Sequence, residues 1–148
     1  MTALEKIQSL VAAYPGHDIL NSFKVDYTEK IPASGGVFPA GLVEISRKRD
    51  ILGNVTVTCQ YNFGLYYVFE KERGDDIGAT VNADWIMDFQ EWIQEQSAKG
   101  LAPAFGDEPW KERITAQNGA LFTTDEEGTA TYMVQLSVRF IKHFDKGM

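Results

Sequence analysis

Apolar residues at Leu4, Ile7, Leu10, Val11 and Tyr14 recur three or four positions apart, which puts them on one face of a helix. Thr2 followed by Glu5 has the form of a capping box, and Pro15-Gly16 ends the pattern. From Phe23 to Glu29 the period falls to two. Phe23, Val25 and Tyr27 share one side and Lys24, Asp26 and Thr28 the other, the signature of a half-buried strand. Ile31 to Gly41 holds two prolines and three glycines around Val37 and Phe38, and reads as a long loop.

Leu42 to Arg49 reads as a strand, Asp50 to Asn54 as a turn and Val55 to Phe69 as a long strand with Val55, Val57, Cys59, Tyr61 and Phe63 on one face. Gly64 suggests a bulge that re-aims Leu65 to Phe69, with apolar residues on both faces beyond it. Glu70 to Gly78 reads as a loop. Asn82 is then the expected cap of a second helix whose stripe is Trp85, Ile86, Phe89, Trp92 and Ile93 and whose end is marked by Lys99, Gly100 and Pro103. Ala102 to Trp110 is irregular. Arg113 to Thr124 and Thr129 to Phe144 form a hairpin around Asp125-Glu126-Glu127-Gly128, and its last strand, with Ala130, Tyr132, Val134, Leu136, Val138 and Phe140 on one face, would reach about 50 Å. The order α-β-β-β-α-β-β predicts an α+β fold: a mostly antiparallel sheet with two helices packed on one face and long hairpin strands, in a single domain spanning residues 1–148. Val57, Tyr61, Phe63, Val134, Leu136 and Val138 are the predicted sheet side of the core.

Composition narrows the function. Fourteen basic and twenty-one acidic residues leave a net charge of −7, with Arg47-Lys48-Arg49 the only basic cluster, so specific nucleic-acid binding is not expected and the cluster reads as a solvated strand end. No apolar run approaches the ~18 residues of a membrane helix, and Glu5 and Lys6 interrupt a secretory signal, which together predict a cytoplasmic protein without membrane contact. The single cysteine, Cys59, lies on an apolar strand face and reads as a core residue. His17 and His143 follow a helix stop and end a strand, no HExxH is present, and neither a phosphate-cradling loop nor a GxGxxG follows a strand. Arg73-Gly74-Asp75 is a tripeptide too short to carry weight. The acidic groups Asp75-Asp76, Asp107-Glu108 and Asp125-Glu126-Glu127 match no EF-hand and read as solvated turns. The expectation is a protein that is not an enzyme, with no catalytic, cofactor or metal residues. Of Trp85, Trp92 and Trp110, an exposed one would be an interface anchor.

Ala130-Thr131-Tyr132-Met133-Val134-Gln135-Leu136-Ser137-Val138-Arg139-Phe140 resembles the closing strand of tail-terminator and minor capsid proteins of tailed phages, and Trp85-Ile86-Met87-Asp88-Phe89-Gln90-Glu91-Trp92-Ile93 resembles their middle helix. With Ile31 to Phe69, these segments resemble small proteins encoded in prophage morphogenesis regions of Gram-positive bacteria. The resemblance implies a structural protein that assembles with itself into a ring, often a hexamer, at the head-proximal end of the tail tube. Its partners would be the tail tube protein and head-tail connector proteins, and its place the cytoplasm of the bacterial host and then the virion. No catalytic residue carries over. Val37, Phe38 and Pro39, set in a segment read as unable to build its own strand, are the candidate protein interface. A stand-alone ligand-binding or regulatory α+β module is the competing reading; it requires an enclosed apolar pocket.

Overall fold

A computed structural model of the chain describes residues 2–16, 22–25, 34–70, 76–124 and 129–146. The first helix, α1 (Ala3–Ala12), starts where the Thr2 hydroxyl accepts the Glu5 amide at 3.2 Å, and it buries Ile7, Leu10 and Val11. Strands β1 (Ser22–Val25), β2 (Ser34–Arg49) and β3 (Val55–Glu70) follow, then α2 (Asp76–Ala98), β4 (Arg113–Thr124) and β5 (Thr129–Phe144). They form one five-stranded sheet in the order β1-β2-β3-β5-β4. The pairs β2–β3, β3–β5 and β4–β5 are antiparallel, while β1 pairs in parallel with Ser34–Val37.

The expected α+β architecture is therefore present, and the core is the expected one. Val57, Phe63, Val134, Leu136 and Val138 are buried with Leu65, Tyr67, Phe69, Tyr132 and Phe140 in one cluster that also takes in Ile7, Leu10 and Val11 of α1 and Ile86, Phe89 and Ile93 of α2. Tyr61 is half-buried and stacks on Phe140 at 5.2 Å. Helix α2 lies against β4, where Gln90 Nε2 donates to the Ala116 carbonyl and Ser97 Oγ accepts from the Ile114 amide, both at 3.0 Å. Gly119 makes this approach possible, because a Cβ there would come within 2.6 Å of Ile86 Cγ2. At the far end of α2, Gly100 takes φ +69° and its amide donates to Ser97 while the Leu101 amide donates to Gln96, a Schellman ending foreseen from Lys99-Gly100.

Tyr14 joins the two helices. Its ring is 5.2 to 5.4 Å from those of Trp85, Phe89 and Trp92, and Trp85 Nε1 donates to the Gly16 carbonyl at 3.1 Å. Segment 101–112 then closes the core over the other end of β5. Glu112 accepts from the Phe105 and Gly106 amides at 2.7 and 2.9 Å, the Asp107 amide donates to Ile141, and Phe105 is buried near Phe140. Among the described residues no helix is long and apolar enough to cross a membrane.

Three local expectations are corrected. Residues 34–41, expected to be loop, belong to β2: Gly35 and Gly36 pair with the bulky Tyr67 and Tyr66, and Pro39, opposite Phe63, sits where the register with β3 shifts, a position at which strands tolerate proline. Helix α2 begins at Asp76, so Asn82 is a buried residue inside it and not its cap. Gly64 causes no bulge, since β3 and β5 stay in register from Val55↔Phe144 to Glu70↔Thr129. The irregularities fall instead in β2, between Pro39 and Leu42 and between Glu44 and Ser46, and in β4. Finally, strand Phe23 to Glu29 is described only as far as Val25, and residues 26–29 lie outside the described residues.

Candidate interface surface

Strand β2 splits the three residues proposed as an interface. Val37 is fully buried opposite Leu65 and belongs to the core, not to a contact surface. Phe38 is half-buried on the opposite, helix-free face, where its ring meets that of Tyr66 edge-on at 5.0 Å over the bare backbone of Gly64. Pro39 is exposed. Phe38, Pro39, Tyr66 and Met133 line part of a groove of about 360 Å³ on that face.

Among the described residues, 38–49 pair only with β3. The side chains there are in solvent on both faces, including Leu42, Val43 and Ile45 at 55, 48 and 43 % exposure. The turn that follows is rigid in its hydrogen bonding: Asp50 Oδ1 accepts from the Leu52 and Asn54 amides at 2.8 and 2.9 Å, and Gly53 takes φ +87°. That turn holds Ile51 and Leu52 at the tip with nothing covering them. Strand β4, at the other end of the sheet, likewise has β5 as its only strand neighbour among the described residues. Edges of this kind are usually covered or paired.

Trp110 is the exposed tryptophan, in the short 3-10 turn Pro109–Lys111 at the mouth of a cleft of about 700 Å³ between α2 and β4. Trp85 and Trp92 pack on the core. The signal that separates them is in the sequence: Trp85 and Trp92 lie on the apolar helical stripe, and Trp110 lies in the irregular segment.

The remaining reactive groups are engaged in structure. Cys59 is buried, and burial, reinforced by Glu44 and opposed by Lys142 and Arg47, pushes its thiol above the ordinary range, which disfavours the nucleophilic thiolate. His143 stands between the Thr56 hydroxyl, 3.1 Å from Nδ1, and Glu108, 3.0 Å from Nε2, an order of groups also found in nucleophilic triads. Here, however, Thr56 and His143 are directly paired across β3 and β5, none of the described cavities is lined by either, and Asp107 Oδ2 accepts the His143 amide at 2.7 Å. The arrangement is a clasp fixing 105–108 to the end of β5. It also explains Asp107-Glu108, whose carboxylates bind His143 and Lys111. Arg47 pairs with Glu44 at 2.7 Å in solvent, as a strand end would. His17, Arg73 to Asp75 and Asp125 to Glu127 lie outside the described residues.

Comparison with known proteins adds no family to this geometry: no protein-family model matches the chain, and no curated protein matches it.

Proposed function

We propose that this chain is a structural assembly protein of the phage tail-terminator or minor capsid type, which works by joining copies of itself into a ring at the end of a tail tube. The observation that carries the reading is the apolar flank of the far half of β2, where exposed Leu42, Val43 and Ile45 lead to Ile51 and Leu52 at the tip, on a stretch that pairs only with β3 among the described residues. A solvated monomer gains nothing from five large apolar side chains gathered on one hairpin, whereas an interface core uses such residues. Strand β4, which also has a single strand neighbour among the described residues, lies at the opposite end of the sheet. Contact between unlike edges is head-to-tail, and such a contact closes into a ring when its rotation divides the circle. The long, fully paired β3 and β5 supply a stiff plate for it. The partners on this reading are further copies, the tail tube protein and the head-tail connector, in the host cytoplasm and then the virion.

The test is native mass spectrometry and sedimentation across concentration, with and without purified tail tubes. Discrete oligomers, or binding confined to tube ends, are the expected result. A protein that stays monomeric at high concentration and ignores tube ends returns the fold to the ligand-binding module reading, for which the groove beside Phe38 and Tyr66 is the place to look.

A further inference from the structure

The helix-free face of the sheet carries a charge arrangement that folding alone does not explain. Arg113 of β4 and Arg139 of β5 are directly paired across the ladder, with Gln60 of β3 next in line. Directly opposed like charges destabilise a sheet. In a chain with twenty-one acidic residues, neither guanidinium has a carboxylate partner among the described residues. The Arg139 side chain makes one long contact, Nη2 donating to Gln60 Oε1 at 3.3 Å. Each guanidinium carries five N–H donors, so most of the donor capacity of the pair is available.

The surroundings are as selective as the pair. The two arginines, Gln60, Thr115, Gln117 and Ser137 line a cavity of about 310 Å³ with no acidic and no large apolar side chain in it. Two of its side chains are ordered from alongside: Asn62, on the same face, accepts through Oδ1 from Gln60 Nε2 at 2.8 Å and from Ser137 Oγ at 2.9 Å. That fixes which way the Gln60 amide points and turns its oxygen toward Arg139.

We propose that Arg113 and Arg139, with Gln60, Thr115, Gln117 and Ser137 around them, bind a single oxyanion group of the carboxylate or phosphate class. Two guanidinium forks lining one cavity match the several oxygens of such a group, and its negative charge offsets the repulsion between the paired arginines. The group comes either from an acidic side chain of a second copy or from a free phosphate. The site does not depend on the assembly reading, since a monomer can bind free phosphate there.

Amide-resolved NMR of the full chain, titrated with inorganic phosphate at constant ionic strength, tests it. Saturable shifts confined to the neighbourhood of Gln60, Arg113, Thr115, Gln117, Ser137 and Arg139 are expected, with affinity reduced about tenfold or more in Arg139→Gln and in Arg113→Gln, the effect of losing charge-assisted hydrogen bonds. Arg139→Lys should keep part of the affinity. In phosphate-free, low-salt buffer the two glutamine variants should melt no lower than the parent, because each removes a like-charge contact. Absence of saturable shifts, or equal phosphate affinity in parent and glutamine variants, overturns the proposal. Melting of the glutamine variants below the parent without anion, and with no anion-dependent difference, overturns it also, by making the arginines structural. If phosphate and Arg113→Gln both weaken self-association, the native oxyanion is a carboxylate of a second copy; if association is unchanged while phosphate binds, it is a free phosphate.

Discussion

At the scale of single residues, stability rests on the face that β3 and β5 turn toward the helices. Leu136 is completely buried, between Phe63 on one neighbouring strand and Ala116 on the other. Leu136→Ala should cost about 2–5 kcal/mol in urea unfolding, the range for a truncated core leucine that leaves a cavity. A loss under about 0.5 kcal/mol would place this face in solvent or an interface. Tyr67 gives the core a pH signature. Burial, with a smaller push from Tyr14, holds its phenol well above the ordinary 10.0, and burial moves Tyr132 the same way, as do burial and then Asp88 for Tyr14. Above about pH 10 the unfolded chain releases these protons while the folded one retains them, so stability is fully present below that pH and falls as pH rises through it. Tyr67→Phe should flatten this alkaline decline in thermal melts between pH 9 and 11. An unchanged decline would mean that the phenol is solvated.

At the scale of elements, the segment between α2 and β4 has no regular structure apart from one 3-10 turn, yet it closes the core. Its geometry depends on Glu112, which collects two backbone amides, and on Gly106, where any Cβ would collide with the Ile141 carbonyl. Glu112→Ala leaves both amides without that acceptor, and a loss of about 1–3 kcal/mol is expected, with faster hydrogen exchange across 101–112. Unchanged exchange there would mean that Phe105 alone holds the segment. Element ends were legible in sequence wherever a local signal closes them. The Thr2 cap, the Asp50 turn and the Gly100 ending each depend on contacts between residues a few positions apart. The start of α2 was not legible, because Gly78, Thr80 and Val81 have low helix propensity and Asn82 is a good cap, while burial of Asn82 and Ile86 favours the longer helix.

At the scale of the whole molecule, the proposed assembly would use the apolar flank of β2 and the two strands, β4 and β2 beyond Val37, that have one strand neighbour each among the described residues. A lysine at Ile45, a half-exposed position on that flank, places a charge where a neighbour would dock, a device by which natural edge strands avoid pairing. Ile45→Lys should leave the urea midpoint unchanged and shift sedimentation toward monomer at every concentration. An oligomer insensitive to this change would put the interface elsewhere, with the cleft beside Trp110 as the next surface to alter.

The sequence by itself determined the α+β class, the apolar stripes of the two helices, and the strands Val55 to Phe69 and Thr129 to Phe144 with the buried face of each, because alternation with period two or 3.6 is imposed by burial and is written directly in residue order. The tertiary structure alone decided that β1 runs parallel to β2, that Val37 is core while Phe38 lies on the opposite face, that β2 begins at Ser34 despite its glycines and proline, and that Arg113 meets Arg139. Each of these depends on register between segments distant in the chain. A shift of one residue exchanges the faces of a strand, and no local signal in Gly35, Gly36, Pro39 or either arginine specifies the partner it will face.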